Sequence, residues 1–448
     1  MESLHSLINM EPGKKEMICI VGAGGKTSVL FRLAGELSEK GGRVLVTTTT
    51  AIYYPGREQY DRIVVSQEET PDLFDNVDAC GITVFGRSVS SEGKLLGSSP
   101  ELLDAVFLQG IFDYIIVEGD GSKGRPIKAP ASYEPVIPSR TGKLLGVIGM
   151  DCIGREVSQE IVHRPGLFCE ITGCGEQAVI STETVSRLVL HEEGLFKTAP
   201  RGAERYLVLN KADREKQMED ARDIAKSLRD KGSALSGIIV SSFKKQSFRK
   251  AGGISGIILA AGLSRRMGTN KLLLDLGGVP VIERTIKAAS ESSLSEIILV
   301  CGSEIAKAAG DGCKVRIVHN AEPEQGQSRS IRLGVENASG YADGFMFLVG
   351  DQPYITAAII NKLIEGYNSG NYSAAVPLYS GKRGNPVIFS YSLKDKLMEL
   401  RGDSGGRILL EGLEGRIAVV DAGDELSGFD IDTREEYEKL LKLEEKNG

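Results

Sequence analysis

Two short loops combine glycine with basic residues in an order that suits phosphate binding. The first is Gly22-Ala23-Gly24-Gly25-Lys26-Thr27, and the second runs from Ala260 to Lys271 and includes Gly262 and Arg266. Backbone N–H groups of a small-residue loop can approach an anion closely, while lysine and arginine neutralise its charge. The sequence therefore predicts two phosphate-binding sites, with Thr27 available to Mg²⁺ in the first.

Two aspartates of the second half follow or border apolar segments. Asp351 ends the apolar run 347–350, and Asp432 precedes the last helical segment, which Thr433 could cap. Ligands of open α/β sheets bind at the carboxyl edge of the strands, and Mg²⁺ prefers one or two carboxylates plus substrate phosphates. We expect Asp351 and Asp432 to hold Mg²⁺, with a simple turn and a helix cap as the alternatives.

Acids also end an apolar run in the first half, where Glu118 and Asp120 could hold Mg²⁺ or orient water. Lys123, Arg125 and Lys128 follow them. This basic cluster is interpreted either as an anion site or as a solvated loop.

A four-residue motif near position 210 suits the recognition of a purine base. Asn210, Lys211 and Asp213 match the NKxD motif that reads guanine in G proteins, in which the aspartate accepts hydrogen bonds from N1 and N2 of the base. The motif follows an apolar run, as it does there. GTP and ATP both stay open as ligands of the first site.

The cysteines offer little support for a metal centre. All seven are scattered and none forms a CxxC pair, so reduced and mostly buried thiols are expected. His163, Cys169 and Cys174 lie near one another in sequence, but their spacing fits no zinc pattern and a fourth ligand is missing. Core or loop packing is the expected role of these three residues.

The elements that must position these residues alternate between strands and helices. Apolar runs such as 17–22, 114–118 and 206–210 are separated by segments with helical periodicity, which predicts α/β units with largely parallel sheets. The basic run 243–253 is predicted to connect two domains, 1–245 and 254–448. Helices of the second domain are expected near 280–292, 326–338, 355–367 and 434–444.

Length and charge narrow the classes of function. The 448 residues suit two domains of about 150–250 residues each, and the net charge of −7 argues against a general nucleic-acid or membrane surface. The sequence has no recognisable leader and no apolar run of about 18 residues. A cytoplasmic enzyme with local basic pockets is expected.

The second half, from about 254 to 445, resembles the MobA-like nucleotidyltransferases, and among them most closely the molybdenum cofactor cytidylyltransferases. The resemblance rests on the ordered segments 259–271, 325–330, 349–353, 384–389 and 402–410, followed by 429–433. It implies a Rossmann-like (GT-A-like) domain in which Arg266, Lys271 and Asp351 are catalytic. The implied nucleotide-binding residues are Ala260, Ala261, Gly262, Arg266, Lys271, Gln325 and Ser328.

The same resemblance implies the reaction. A terminal phosphate of molybdopterin cofactor attacks the α-phosphorus of CTP, and pyrophosphate leaves, with Mg²⁺ and the basic residues stabilising the developing charge. Ala261 stands where guanylyl-transferring relatives have a second glycine, and Gln352-Pro353 follows the aspartate as in the cytidylyl branch. The resemblance therefore favours CTP over GTP.

The first half, from about 5 to 245, resembles the selenium-dependent hydroxylase accessory (YqeC-like) proteins. The resemblance rests on the segments 22–28, 46–50, 117–130, 134–138, 163–165 and 209–213. It implies a P-loop-like domain with a nucleotide-dependent role in maturing molybdenum hydroxylases, and a hydroxylase apoenzyme as a partner. The implied nucleotide ligands are Gly22, Gly25, Lys26, Thr27, Asn210, Lys211 and Asp213.

Two other functions remain open at this point. In the first, the chain is an NTP-driven chaperone or switch, whose second half binds cofactor and whose first half controls its handover. In the second, the transferase acts on a sugar or polyol phosphate, because one fold supports many nucleotidyl transfers.

Overall fold

The chain divides into two compact units, Met1–Ala251 and Gly252–Gly448. The computed structural model describes residues 3–11, 13–68, 70–74, 80–262, 269–308, 315–370, 372–403 and 405–447. Among these residues, no helix has the length and apolar character that crossing a membrane requires.

The first unit contains fourteen strands and six helices in its described part. The strands are β1 Glu16–Gly22, β2 Arg43–Thr48, β3 Ala51–Tyr53, β4 Arg62–Val65, β5 Gly81–Gly86, β6 Ser88–Val89, β7 Lys94–Leu96, β8 Tyr114–Glu118, β9 Ile127–Lys128, β10 Lys143–Gly149, β11 Val162–His163, β12 Glu204–Asn210, β13 Gly237–Ser242 and β14 Ser247–Lys250. The helices are α1 Leu4–Leu7, α2 Lys26–Ser38, α3 Pro100–Gln109, α4 Pro165–Thr172, α5 Thr182–Leu190 and α6 Glu215–Asp230.

A nine-stranded sheet forms the centre of this unit, in the order β14-β13-β12-β10-β1-β8-β2-β5-β4. All neighbours are parallel except β13 and β14. Every residue of β1 and β10 is buried, because central parallel strands are covered on both faces. The predicted α/β class is confirmed, and the loop after β1 lies at the carboxyl edge beside the ends of β8 and β10.

The run 243–253 was predicted as a connector, but its first nine residues, 243–251, belong to the first compact unit. Residues Ser247–Lys250 form β14, which pairs antiparallel with β13 at the edge of the sheet. Phe248 is buried and packs edge-to-face on Phe243, with ring centroids 5.2 Å apart. The lysines and arginine of the run suit an exposed edge strand. Their charge favoured the prediction of a connector, although the strand has one buried face.

The second unit contains eight strands and six helices in its described part. The strands are β15 Ile254–Ala260, β16 Glu296–Cys301, β17 Arg316–His319, β18 Gly344–Val349, β19 Ala374–Tyr379, β20 Lys382–Arg383, β21 Val387–Ser390 and β22 Ile417–Gly423. The helices are α7 Val281–Ser290, α8 Ser303–Ala308, α9 Gln327–Asn337, α10 Ala357–Asn368, α11 Lys394–Met398 and α12 Arg434–Asn447.

The sheet of this unit has the order β17-β16-β15-β18-β21-β19-β20, and β22 pairs with β19. Strands β15 to β18 run parallel, while β21 is antiparallel to both of its neighbours. One apolar cluster includes residues of α7, α10 and α12, and a second includes residues of α9 and α11. The mixed α/β architecture places the carboxyl ends of β15 and β18 side by side.

The four helices predicted for this half are present as α7, α9, α10 and α12. The segment Phe429–Thr433, which contains Asp432, has no strand structure. Its backbone is held instead by hydrogen bonds, from Ile431 N to Asp351 O at 3.1 Å and from Asp432 N to Glu436 Oε2 at 2.9 Å. The first of these bonds brings the two acidic segments together.

Candidate functional sites

The loop Gly22–Gly25 joins β1 to α2 and depends on glycine. Gly24 has a φ of +83°, and a Cβ atom there would lie 2.1 Å from Gly149 N. Both the left-handed backbone and the close approach exclude larger residues. The Gly24 N–H donates to Arg125 O at 3.0 Å, so the loop is braced by the segment that follows β8.

Lys26 opens α2 and is buried among acids. Its Nζ atom donates to Gly22 O at 2.8 Å, and it lies 3.1 Å from Asp120 Oδ1 and 3.6 Å from Glu118 Oε1. Burial alone would lower the pKa of Lys26, but Asp120 and Glu118 raise it above its usual value. Lys26 is therefore a buried cation at the amino end of a helix, where the backbone also favours an anion.

Thr27 lies beside the same acids. Its hydroxyl donates to Glu118 Oε2 at 3.0 Å, and the Gly22 N–H donates to both oxygen atoms of Asp120 at 3.1 Å. Burial raises the pKa of Glu118, although Lys26 opposes the shift. The structure thus brings together the predicted residues Gly22, Lys26, Thr27, Glu118 and Asp120.

A cavity of about 520 Å³ opens beside this loop, a size that suits a small-molecule ligand. Five basic residues contribute to its lining: Lys26, Lys94, Lys123, Arg125 and Lys211. Lys128 is not among them, and it is buried and pairs with Asp120 at 2.9 Å and with Glu134 at 2.8 Å. Of the predicted basic cluster, Lys123 and Arg125 line the cavity, and Lys128 belongs to a buried ion-pair network.

The predicted base-recognition residues lie at the end of β12. Asn210 Nδ2 donates to Gly24 O at 2.8 Å, and Asn210 Oδ1 accepts from Ser241 at 3.0 Å. Asp213 Oδ1 accepts from the hydroxyl of Ser242 at 2.5 Å. The two serines end β13 and were missed by the sequence analysis, although their position at the end of an apolar run was the available signal.

The residues His163, Cys169 and Cys174 do not form a cluster of metal ligands. Cys169 and Cys174 have their sulfur atoms 3.6 Å apart, but in the described part of the chain no three His, Cys, Asp or Glu side chains are grouped around a metal-sized site. Burial, and then the charges of Arg164 and Lys128, lower the pKa of His163 to about 4. His163 is therefore neutral at physiological pH.

In the second unit, a lysine bridges the two predicted metal ligands. Lys271 Nζ lies 2.6 Å from Asp351 Oδ2 and 2.9 Å from Asp432 Oδ1. Burial alone would lower the pKa of Lys271, but Asp351 and Asp432 raise it. Asp351 follows β18, and Ala261 and Gly262 follow the neighbouring β15. Arg266 lies outside the described residues.

Asp430 was not predicted as a site residue, but it belongs to this acidic group. Burial, and then the charge of Asp351, raise the pKa of Asp430 to about 6. Its Oδ1 atom and Oδ1 of Asp351 are buried without a hydrogen-bond partner among the described residues. Buried carboxylate oxygens without a protein partner can accept hydrogen bonds from a ligand or water, or coordinate a cation. The alternation of acids with apolar residues at 429–432 was the signal in the sequence.

Gln325 and Ser328 lie next to a second cavity of the same edge. Gly326, between them, has a φ of +86°, and a Cβ atom there would lie 2.5 Å from the Gly402 carbonyl group. The Ser328 N–H donates to Gly402 O at 3.1 Å, and the Ser328 hydroxyl is buried without a partner among the described residues. The loop is therefore fixed against the segment that contains Asp403.

This second cavity has a volume of about 290 Å³. Gln327, rather than Gln325 or Ser328, contributes to its lining. Its apolar residues are Leu259, Ile331, Phe347, Val349, Val387 and Phe389, and its polar residues include Gln327, Asn385, Asp403 and Arg407. A cavity with mainly apolar walls and a few polar groups suits a small organic ligand.

Two protein families match different parts of the chain. Residues 18–166 match the family described as YqeC protein, and residues 256–417 match the family described as MobA-like NTP transferase domain. The two matched segments lie in the first and the second compact unit respectively.

Individual relatives match parts of the chain as well. An uncharacterized protein, YqeC of Escherichia coli K12, is 37% identical over 199 residues, which cover 44% of this chain and 75% of that protein. The purine catabolism protein PucB of Bacillus subtilis is 35% identical over 42% of this chain and 95% of PucB. The molybdenum cofactor cytidylyltransferase of E. coli K12 is 32% identical over 31% of this chain and 70% of that enzyme.

Proposed function

Because the chain belongs to the YqeC family through its first unit and to the MobA-like NTP transferases through its second, we propose that it transfers CMP from CTP to molybdopterin cofactor. Pyrophosphate is the second product. The first unit is proposed as a nucleotide-binding accessory unit for the maturation of a molybdenum hydroxylase.

The observation that carries the transfer reaction is the position of Lys271 between Asp351 and Asp432. A cation held between two carboxylates at the carboxyl edge of a sheet marks the place where a triphosphate and its metal can exchange with the ion pairs. Carboxylate oxygens that have no protein partner are free to coordinate a metal ion. Asp351 Oδ1 and Asp430 Oδ1 are both unpaired among the described residues.

The residues of the site suit Mg²⁺, because the donor atoms are carboxylate oxygens and one of them, Asp351 Oδ1, is buried without a hydrogen-bond partner in the part of the chain that the structure describes. Asp351 and Asp432 would hold the ion. When bound, Mg²⁺ supplies positive charge to the phosphate oxygen atoms.

In the proposed reaction, an oxygen atom of the acceptor's terminal phosphate forms a bond to the α-phosphorus of CTP. The bond from that phosphorus to the bridging oxygen breaks, and the electron pair leaves with pyrophosphate. Lys271 neutralises charge on the transferring and leaving oxygen atoms, and Arg266 is proposed to assist it. No covalent intermediate with the protein is required.

Two features support molybdopterin cofactor as the acceptor and CTP as the donor. The cavity of about 290 Å³ has apolar walls next to the ends of β15 and β18, which suits a flat pterin ring. The relative named molybdenum cofactor cytidylyltransferase is 32% identical. Ala261 and the pair Gln352-Pro353 add the preference for the cytidylyl branch stated above.

The first unit is proposed to bind a nucleoside triphosphate with the loop Gly22–Gly25, Lys26 and Thr27. The ion pairs of Lys26 support this role, since phosphate can replace Asp120 and Glu118 as its partner. Thr27 and Glu118 already share a hydrogen bond and supply the oxygen atoms that Mg²⁺ prefers.

The transfer reaction is tested with the purified full chain, labelled CTP or GTP, Mg²⁺ and molybdopterin cofactor. We expect one pyrophosphate for each cytidylylated product, identified by mass, and much slower transfer from GTP. Transfer from GTP alone would assign the guanylyl reaction instead. Transfer to a sugar or polyol phosphate but not to molybdopterin would contradict the proposed acceptor, and the absence of pyrophosphate release would favour a chaperone or switch.

A further inference from the structure

The end of β12 is joined directly to the phosphate loop of the first unit. In the sheet order, β10 alone separates β12 from β1, so the ends of all three strands lie at one edge. Asn210, at the end of β12, contacts the loop after β1, because its Nδ2 atom donates to Gly24 O at 2.8 Å. A ligand whose phosphates contact Gly22–Gly25 therefore has its other end near the residues that follow Asn210.

We propose that the first unit selects guanine nucleotides, and that the carboxylate of Asp213 recognises the base. This inference rests on the nucleotide-binding role proposed above for the first unit and names the base that this role requires. Asp213 would accept hydrogen bonds from N1–H and from the N2 amino group of guanine.

The chemistry of a carboxylate decides between the bases. An ionised carboxylate can only accept hydrogen bonds, and guanine presents two adjacent donors on one edge. Adenine presents an acceptor at N1 and cytosine an acceptor at N3, so each would place a lone pair against the carboxylate. A site that binds a donor edge discriminates strongly against a ligand that lacks the donors.

Asp213 is held in a fixed position, as such recognition requires. Its Oδ1 atom accepts from Ser242 at 2.5 Å, and its backbone N–H donates to Gln217 Oε1 at 3.0 Å. Asp213 Oδ2 makes no hydrogen bond with the described residues, and the side chain is only partly buried. One oxygen atom therefore anchors the carboxylate through Ser242, while the other is open to a ligand.

Lys211 lies in the sequence between Asn210, which contacts the loop Gly22–Gly25, and Asp213. It has a left-handed backbone with a φ of 61°, and its Nζ atom lies 2.8 Å from Asp151 Oδ2. A lysine held in this strained conformation is typical of functional positions. Lys211 lines the cavity of about 520 Å³ together with Gly24 and Gly25, so its aliphatic chain offers an apolar surface to the base.

The alternative is a purely structural role, in which the hydrogen bond between Ser242 and Asp213 only stabilises the loop between β12 and α6. The two roles differ in what a substitution changes. A fastening role affects the stability of the fold, whereas base recognition affects which base is bound.

The experiment measures binding of fluorescent GDP, ADP and XDP (the xanthine nucleotide) to the full chain and to Asp213→Asn. We expect the wild-type chain to prefer GDP over ADP and XDP. Xanthine has an oxygen atom where guanine has the N2 amino group, and the asparagine amide can donate to it. The substitution should therefore weaken GDP binding and strengthen XDP binding, each by about 10-fold to 100-fold.

Asp223→Asn is the matched control, because Asp223 lies exposed on α6 and undergoes the same loss of charge. It should keep the wild-type preference for GDP. Equal affinity for ADP and GDP, or an unchanged preference in Asp213→Asn, would overturn the guanine inference. If Thr27→Ala also leaves all nucleotide binding unchanged, the nucleotide-binding role of the first unit fails as well, so the two failures are distinguishable.

Discussion

Lys271 lies 2.6 Å from Asp351, at the carboxyl edge of the sheet in the second unit. The pair joins residues 80 positions apart in the sequence, one from the loop after β15 and one from the end of β18. Asp432 contacts the same lysine from a third segment. Three separate segments therefore meet at one cation, and the contribution of each can be tested by substitution.

The substitution Asp351→Asn removes one charge from this group and keeps its shape. We expect the rate of CTP-dependent pyrophosphate release to fall by about 100-fold or more, because a preorganised electrostatic group is lost. Lys271 keeps Asp432 as a partner, so the far-ultraviolet circular dichroism should not change. Asp395→Asn, an exposed position on α11 of the same unit, should keep the wild-type rate. Near-normal turnover of Asp351→Asn at saturating Mg²⁺ would contradict the metal role.

The hydroxyl group of Thr27 allows a test of the proposed nucleotide binding by the first unit. Thr27→Ala removes the donor to Glu118, and we expect Mg²⁺-dependent binding of triphosphate to the first unit to weaken by about 10-fold or more. Thr27→Ser keeps the hydroxyl and should bind like the wild type. Calorimetric titration in the presence and absence of Mg²⁺ measures the effect. Equal losses in the two variants would point to packing of the methyl group instead.

Gly24, in the loop after β1, and Gly35, in the helix α2 that follows, form a matched pair. Gly24→Ala meets Gly149 N at 2.1 Å with an unfavourable φ, so the free energy of unfolding should fall by about 2 kcal/mol or more. Gly35→Ala, within α2, meets no atom within 4 Å and should stabilise the helix by about 0.5–1 kcal/mol. Urea denaturation followed by circular dichroism compares them. A destabilised Gly35→Ala chain would show that the helix is packed more tightly than described.

His163 predicts a pH dependence of stability in the first unit. Burial, and then the charges of Arg164 and Lys128, lower its pKa to about 4, while an unfolded histidine has a pKa of about 6.5. Between these values the unfolded chain binds more protons than the folded chain, so stability falls as the pH decreases from about 6.5 towards 4.

The variant His163→Gln lacks this titration, and its free energy of unfolding should fall less between pH 7 and pH 5 than that of the wild type. His191→Gln, at an exposed histidine, should respond to pH as the wild type does. Urea denaturation at both pH values gives the comparison. Identical pH responses of wild type and His163→Gln would refute the assignment.

Strands and helices whose pattern lies within one stretch of sequence could be predicted. The apolar run before Gly22 predicted β1, because a strand buried on both faces needs no contribution from distant residues. Lys271, Asp351 and Asp432 were predicted separately, and the structure brings them together. Their shared contact could not be derived, since it depends on the pairing of β15 with β18 and on the bond from Ile431 to Asp351.

Residues whose role depends on a neighbour in space were missed. Ser242 ends an apolar run, but this position does not identify Asp213 as its partner. Asp430 belongs to an alternation of acids with apolar residues, but its raised pKa comes from burial and from Asp351, which the sequence does not place beside it. Phe248 gives β14 its buried face, but the lysines and arginine around it led to the prediction of a connector.

The bridge from Asn210 to Gly24 has a consequence for how a ligand is received. The amide is itself anchored by Ser241, so the loop Gly22–Gly25 is supported from β12 and β13 without a ligand. A surface that is already rigid loses little conformational entropy on association, and more of the contact energy appears as affinity. The proposed phosphate-binding loop and the proposed base-binding residues are thus joined by hydrogen bonds that need no ligand to form.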